Sequence, residues 1–203
     1  MYIELIAMIL IGYLLGSIPF ALVIGKVFYK TDVRNHGSKN LGGGNTGRVL
    51  GKKAGVAVMT LDILKVSLAV FLASLFEGAE YMKIAAGLAA AIGHCYPVFA
   101  RFKGGKAVAT MYGFLFGMGL FGGYTLWIFL LPLAVYLVFL YIWKIVSLAS
   151  MLSAIFITVY VFLTKDSLMM GGALLVFTVL IIVRHRKNIE KMIKGEENKI
   201  SWM

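Results

Sequence analysis

Between Tyr2 and Tyr29 the chain carries only two charged residues, Glu4 and Lys26, in a run otherwise rich in aliphatic and aromatic side chains. Six more apolar runs follow: Ala54–Phe76, Ile84–Ala100, Ala107–Gly122, Tyr124–Trp143, Ile145–Leu163 and Leu168–Val183. A helix that crosses a bilayer needs about 20 apolar residues. Inside hydrocarbon the backbone must satisfy its own hydrogen bonds, which a helix does. The 203 residues are 61% hydrophobic, whereas a soluble domain is roughly half apolar. No soluble core of this size buries so much apolar surface. The runs therefore predict an all-α polytopic membrane protein with seven transmembrane helices. The third and fourth runs are short for a crossing. The first is long for a signal-peptide core and Met1–Glu4 has no Lys or Arg, so a cleaved leader is not expected.

Seven crossings place the termini on opposite sides, and charge orients them. The segment Lys30–Lys53 holds six Lys or Arg, Arg101–Lys106 three, Lys144 one, and the tail after Val183 six. The other side holds Lys83 and Lys165, while Lys26 and Lys65 lie inside apolar runs. The imbalance predicts an N-terminus outside and a C-terminus in the cytoplasm. Cys95 is the single cysteine, which excludes an intramolecular disulfide and a CxxC metal site. No internal repeat is evident, so the chain reads as one domain, residues 1–203.

The net charge of +11 admits anionic lipid, nucleic acid or an anionic substrate. Its placement favours the last. In "RNHGSKNLGGGNTGRVLGKK", Arg34–Lys53, Gly37 and Gly42 to Gly44 alternate with Ser38, Asn40, Asn45 and Arg48. Glycine lets successive N–H groups face one concavity, as anion sites require, and hydroxyl, amide and guanidinium groups complete such a site. A topology anchor accounts for Lys52 and Lys53 equally well. In "GHCYPVFARFKGGKAVAT", Gly93–Thr110, Gly104, Gly105 and Lys106 stand where a helix begins, and helix N-termini attract anions. This is not a P-loop: position 100 is Ala and Lys106 is followed by Ala107. His94, just inside its run, fits a helix contact as well as a catalytic role. In the tail, His185 and Asn188 share a helical face, beside basic residues suited to anionic lipid. Ser147 sits at a run end on the same side. Asp62 and Lys65, three apart within a run, fit either a structural ion pair or a functional site. Most of these polar outliers gather on the predicted cytoplasmic side, which implies a pocket for a phosphate head with a lipid tail.

These residues resemble those of the acyl-phosphate-dependent glycerol-3-phosphate acyltransferase family of bacterial inner membranes. The resemblance covers nearly the whole chain. It rests on "GSIPF" at Gly16–Phe20, the Asp32–Gly55 stretch, "LDILK" at Leu61–Lys65, Gly93–Thr110, "VSLAS" at Val146–Ser150 and "RHRKNI" at Arg184–Ile189. It implies seven spans with the N-terminus outside, and acyl transfer from acyl phosphate to the first hydroxyl of glycerol 3-phosphate. The products would be lysophosphatidate and phosphate. Ser38, Lys106, Ser147 and His185 are the expected catalytic residues. Gly37, Asn40, Gly42, Asn45, Arg48, Gly104, Gly105, Thr110 and Asn188 are expected to bind substrate. Where the family has Gly, Ala, Thr and Gly, this chain has Lys39, Gly43, Gly44 and Ala107. Lys39 is expected to be strained if its position needs a positive φ.

The HxxxxD pair of thioester-using acyltransferases is missing. The fifth residue after His36 is Leu41, after His94 Phe99, and after His185 Glu190. An acyl phosphate needs less activation because phosphate leaves easily, so the reading is direct attack by the acceptor hydroxyl. The site then supplies positioning and charge stabilisation. No cofactor or metal is expected, and the partners are the two substrates and the bilayer, with the chain a monomer. An organic-phosphate transporter is the alternative, but few polar residues continue across the membrane. Nucleic acid is not expected, since the basic loops lack interleaved aromatics.

Overall fold

The computed structural model describes residues 2–76, 80–164 and 167–200; Lys165, counted above for its charge, lies outside them. Among the described residues the chain is all-helical, without strands. It divides into two compact units, Met1–Gly123 and Tyr124–Met203.

Unit 1 contains α1 (Tyr2–Ser17), α2 (Phe20–Tyr29), α3 (Gly43–Leu50), α4 (Lys52–Ser74), α5 (Glu80–Cys95) and α6 (Val108–Phe121). The first apolar run remains one candidate span, Tyr2–Tyr29, with its helix interrupted at Ile18–Pro19. Proline has no N–H to donate and pushes the preceding residue out of helical geometry. Gly43–Leu50 is helical despite its three glycines. It packs on α4, and Val49 and Leu50 join an apolar cluster below, so burial overrides its poor helix propensity.

α4 is central, packing against α1, α3, α5 and α6. Small residues permit the close approach that membrane helices need. A Cβ at Gly12 or Gly16 would collide with the carbonyls of Ala86 and Ala90 on α5. Outward faces stay apolar: Ile3, Ile6, Leu10 and Leu14 on α1 and Leu64 and Leu68 on α4 are exposed, as lipid requires.

Unit 2 contains α7 (Trp127–Trp143), α8 (Val146–Thr164), α9 (Leu168–Arg184) and α10 (Arg186–Ile193). Ser153 donates to the Pro132 carbonyl in α7 at 2.8 Å, and Thr158 and Thr178 join α8 to α9 at 2.8 Å. α9 and α10 meet at a 58° bend.

Among the described residues four helical segments are long and apolar enough to cross a membrane: Tyr2–Tyr29, Lys52–Ser74, Glu80–Ala100 and Val146–Thr164. The bent pair α9–α10 makes a fifth if it counts as one span, and α6 and α7 are apolar but shorter. At 1.5 Å per residue α6 is roughly 21 Å long, against about 30 Å of hydrocarbon. The protein is therefore a multi-pass membrane protein.

Candidate active site

The polar loop from Asp32 to Gly42 is built on buried anchors. Val33 and Leu41 sink into a cluster with Ala21, Leu22, Ala54, Val58 and Ala100. Asp32 caps a short 3-10 turn, accepting from the Arg34 N–H at 3.0 Å. It also accepts three bonds from the Arg34 side chain, the closest at 2.6 Å. The Arg34 side-chain hydrogen bonds hold the Asp32 carboxyl down to a pKa of about 2. Arg34 therefore braces the loop.

Asn45 was expected to bind substrate. It is buried, and its side chain pins the loop. Its Oδ1 accepts from the Ser38 N–H at 2.7 Å and from the Ser38 hydroxyl at 3.1 Å. Its Nδ2 donates to the carbonyls of Val33 at 2.9 Å and His36 at 3.3 Å. This holds Ser38 at the exposed crest. Gly37 and Lys39 on either side both take left-handed φ values, +58° and +59°. The strain expected at Lys39 is present, since a side chain in that region costs about 1–2 kcal/mol.

α3 starts directly after the crest. The N–H of Thr46 donates to the Gly42 carbonyl at 3.1 Å, so the amides of Gly43, Gly44 and Asn45 precede the first intrahelical bond and face the N-terminal end. Asn40 lies over Gly42, and nothing lies within 4 Å of a Cβ built on Gly44. Arg48, one turn on, is exposed. The result is a cationic, amide-rich mouth fit for an anion.

The second loop runs from Pro97 to Ala107. Ala100 enters the same cluster as Val33 and Leu41, so both loops share one apolar base. Arg101, Phe102 and Ala107 have φ of 55°, 58° and 62°. Three left-handed non-glycine residues in one turn mean packing holds it against local preference, as at many functional sites. Gly104 and Gly105 are buried against His94, and a Cβ on either would overlap His94 atoms. Lys106 is half-buried at the entry to α6. Thr110, also expected to bind substrate, is fully buried, and its hydroxyl donates to the Ala107 carbonyl at 2.9 Å. It secures the first turn of α6.

Beneath the second loop lies a cluster that sequence reading saw only in pieces. Asp62 and Lys65 form an ion pair at 2.7 Å. His94, from α5, places Nδ1 3.5 Å from Asp62 Oδ1 and 3.2 Å from Lys65 Nζ. The three residues are 2%, 4% and 6% exposed.

Unit 2 gathers Ser147, His185 and Asn188. His185 sits at the α9–α10 bend, buried, with Nδ1 2.8 Å from the Ile181 carbonyl. A carbonyl accepts, so Nδ1 carries the proton and Nε2 is the basic nitrogen of the neutral ring. Ser147 and Asn188 both donate to Glu197 Oε1, at 2.7 Å and 2.6 Å. Glu197 was missed. Its only sequence signal is a carboxylate following Gly195 in a basic tail. The Ile200 N–H donates to the Lys144 carbonyl at 2.8 Å and draws that tail back onto the unit.

The Glycerol-3-phosphate acyltransferase family model matches residues 6–195. A glycerol-3-phosphate acyltransferase of Geobacillus kaustophilus (strain HTA426) is 46% identical, over 96% of this chain and 95% of that protein. One from Bacillus subtilis (strain 168) is 44% identical over 97% of each. Two crystal structures are also similar, both described as PlsY (YgiH), an integral membrane glycerol 3-phosphate acyltransferase. The glycerol 3-phosphate form has a TM-score of 0.89 and the lysophosphatidic acid form 0.86. Each is 36% identical and covers 97% of this chain, which in turn spans 96% and 95% of theirs. With membrane helices, two anion-suited loops and a match along nearly its full length, this chain belongs to the glycerol-3-phosphate acyltransferase family.

Proposed function

We propose that the protein transfers a fatty acyl group from acyl phosphate to the 1-hydroxyl of glycerol 3-phosphate, forming lysophosphatidate and phosphate. The observation that carries this reading is the near full-length likeness to solved structures described in forms with that acceptor and that product. The single-domain reading goes with it, since the family match runs through both units.

In this reading the acceptor hydroxyl oxygen bonds to the acyl carbon, and the carbon–oxygen bond to phosphate breaks. The hydroxyl proton passes to the departing phosphate or to His185 Nε2. Ser38, Gly37, Asn40, Gly42 and Arg48 serve one phosphate from the first loop, with Asn45 as its support. Gly104, Gly105 and Lys106 serve a phosphate from the second, with Thr110 holding the turn. Ser147, His185 and Asn188 keep the roles that the family resemblance implies. The donor test uses purified protein with glycerol 3-phosphate and either palmitoyl phosphate or palmitoyl-CoA. Turnover is expected with the acyl phosphate and little with the thioester, since no HxxxxD pair activates the acceptor. Equal turnover of both would sink the donor assignment.

The proposal extends to topology. Seven spans, with α6 and α7 as short crossings, place the N-terminus outside and both anion loops in the cytoplasm of a bacterial cell. In a Cys95→Ser background, Lys39→Cys and Lys103→Cys should label from the cytoplasmic side of the membrane, and Lys83→Cys from the outside. Labelling of all three from one side contradicts the seven-span arrangement.

A further inference from the structure

The proposed reaction gives no task to the cluster of Asp62, Lys65 and His94. Charges at membrane depth are costly and persist where they serve a purpose. A simple bolt between helices does not describe this one. Asp62 and Lys65 lie on the same helix, three residues apart, so their pairing alone joins nothing. What matters is where the pair reaches. Lys65 Nζ donates to the Ile18 carbonyl at 2.9 Å, at the break between α1 and α2, where Pro19 leaves helix geometry interrupted. It also lies 5.6 Å from the centre of the Phe20 ring. On its other side the pair meets Nδ1 of His94.

His94 then touches the phosphate loop twice. Its carbonyl accepts from the Gly105 N–H at 2.9 Å. Its ring lies where the Cβ of residue 105 would be, with Nε2 the nearest atom, while its carbonyl fills the corresponding place at residue 104. The two glycines have no side chains because His94 occupies that space. A rotation of the ring would therefore move the backbone that carries Lys106.

We propose that Asp62 and Lys65 are positioning residues, which fix the His94 ring and through it hold Gly104, Gly105 and Lys106 in the geometry that receives phosphate. This rests on the reading of that loop as a phosphate site. The test compares the full-length double variant Asp62→Asn/Lys65→Met, which removes both charges and keeps similar volumes, with Lys106→Ala. KM is measured for glycerol 3-phosphate and for palmitoyl phosphate, with kcat alongside. The double variant is expected to raise KM about tenfold or more for the substrate that Lys106→Ala also weakens, because misplacement of a binding group by about 1 Å costs up to about 100-fold. Its kcat should change much less. Mere loss of folded protein lowers the apparent kcat for both substrates and leaves KM alone. A folded double variant with both KM values at wild type, beside a raised KM in Lys106→Ala, overturns the brace and spares the site. Unchanged KM values in Lys106→Ala overturn the phosphate-loop reading and the brace with it. If the double variant does not fold, His94→Gln is read by the same criteria.

Discussion

Asp62→Ala is expected to lower the unfolding midpoint by roughly 6–20 °C in detergent. The estimate follows from a loss of about 3–5 kcal/mol when one partner of a buried ion pair is removed, at about 2–4 °C per kcal/mol for a chain of this size. The carboxylate is 2.7 Å from Lys65 Nζ, and neither group is more than 4% exposed. Without Asp62 the ammonium keeps the Ile18 carbonyl and His94 but has no counter-charge in contact. Adding Lys65→Met should recover much of the loss, because an apolar replacement of the whole pair is often neutral. Cys95 provides the measurement. It is the single cysteine, fully buried, next to His94 in sequence, so its reaction with a thiol dye on heating reports unfolding. A wild-type midpoint in the single variant would show that the Lys65 charge is compensated elsewhere.

Lys106→Ala is expected to lower kcat/KM by roughly 10–150-fold while the protein still folds. Losing a hydrogen bond from a charged group costs about 1.5–3 kcal/mol, and each 1.36 kcal/mol is tenfold in rate. The position supports a ligand role. Lys106 stands between a glycine pair locked on His94 and the first turn of α6, where Thr110 holds the Ala107 carbonyl. Lys191→Ala, exposed on α10, is the control and should remain near wild type. Similar losses at both positions would mean that basic residues act by attracting lipid or setting topology.

Where residues of one motif work together, their sequence spacing carried the information. Gly37 to Arg48 form one loop and helix start, and Gly104 to Lys106 form one turn. Left-handed Lys39 was legible because glycine stands at its place in the resembling family. The spacing did not show that the side chain of Asn45 hydrogen-bonds Val33, His36 and Ser38 within the loop, or that the Thr110 hydroxyl meets the Ala107 carbonyl. The α3 helix was hidden by four residues of poor helix propensity, Gly43, Gly44, Asn45 and Gly47. Its stability comes from the surface it covers on α4.

Hydropathy by itself determined that this is a helical membrane protein, since apolar runs of this length have no other stable home. Several ordered motifs by themselves determined the family. The sequence did not contain in any local pattern the meeting of His94 with Asp62 and Lys65, or of Glu197 with Ser147 and Asn188. Those residues are 29 to 50 positions apart along the chain, apart from Asn188 and Glu197, which are separated by the rest of α10 and the turn that follows it. Helical periodicity tells which side chains share a face. It does not tell which face of another helix will come within 3 Å, because that depends on small residues such as Gly12 and Gly16 letting particular backbones close. Tertiary packing decided the partners, and the partners decide which polar groups support the loops and which are left to meet a substrate.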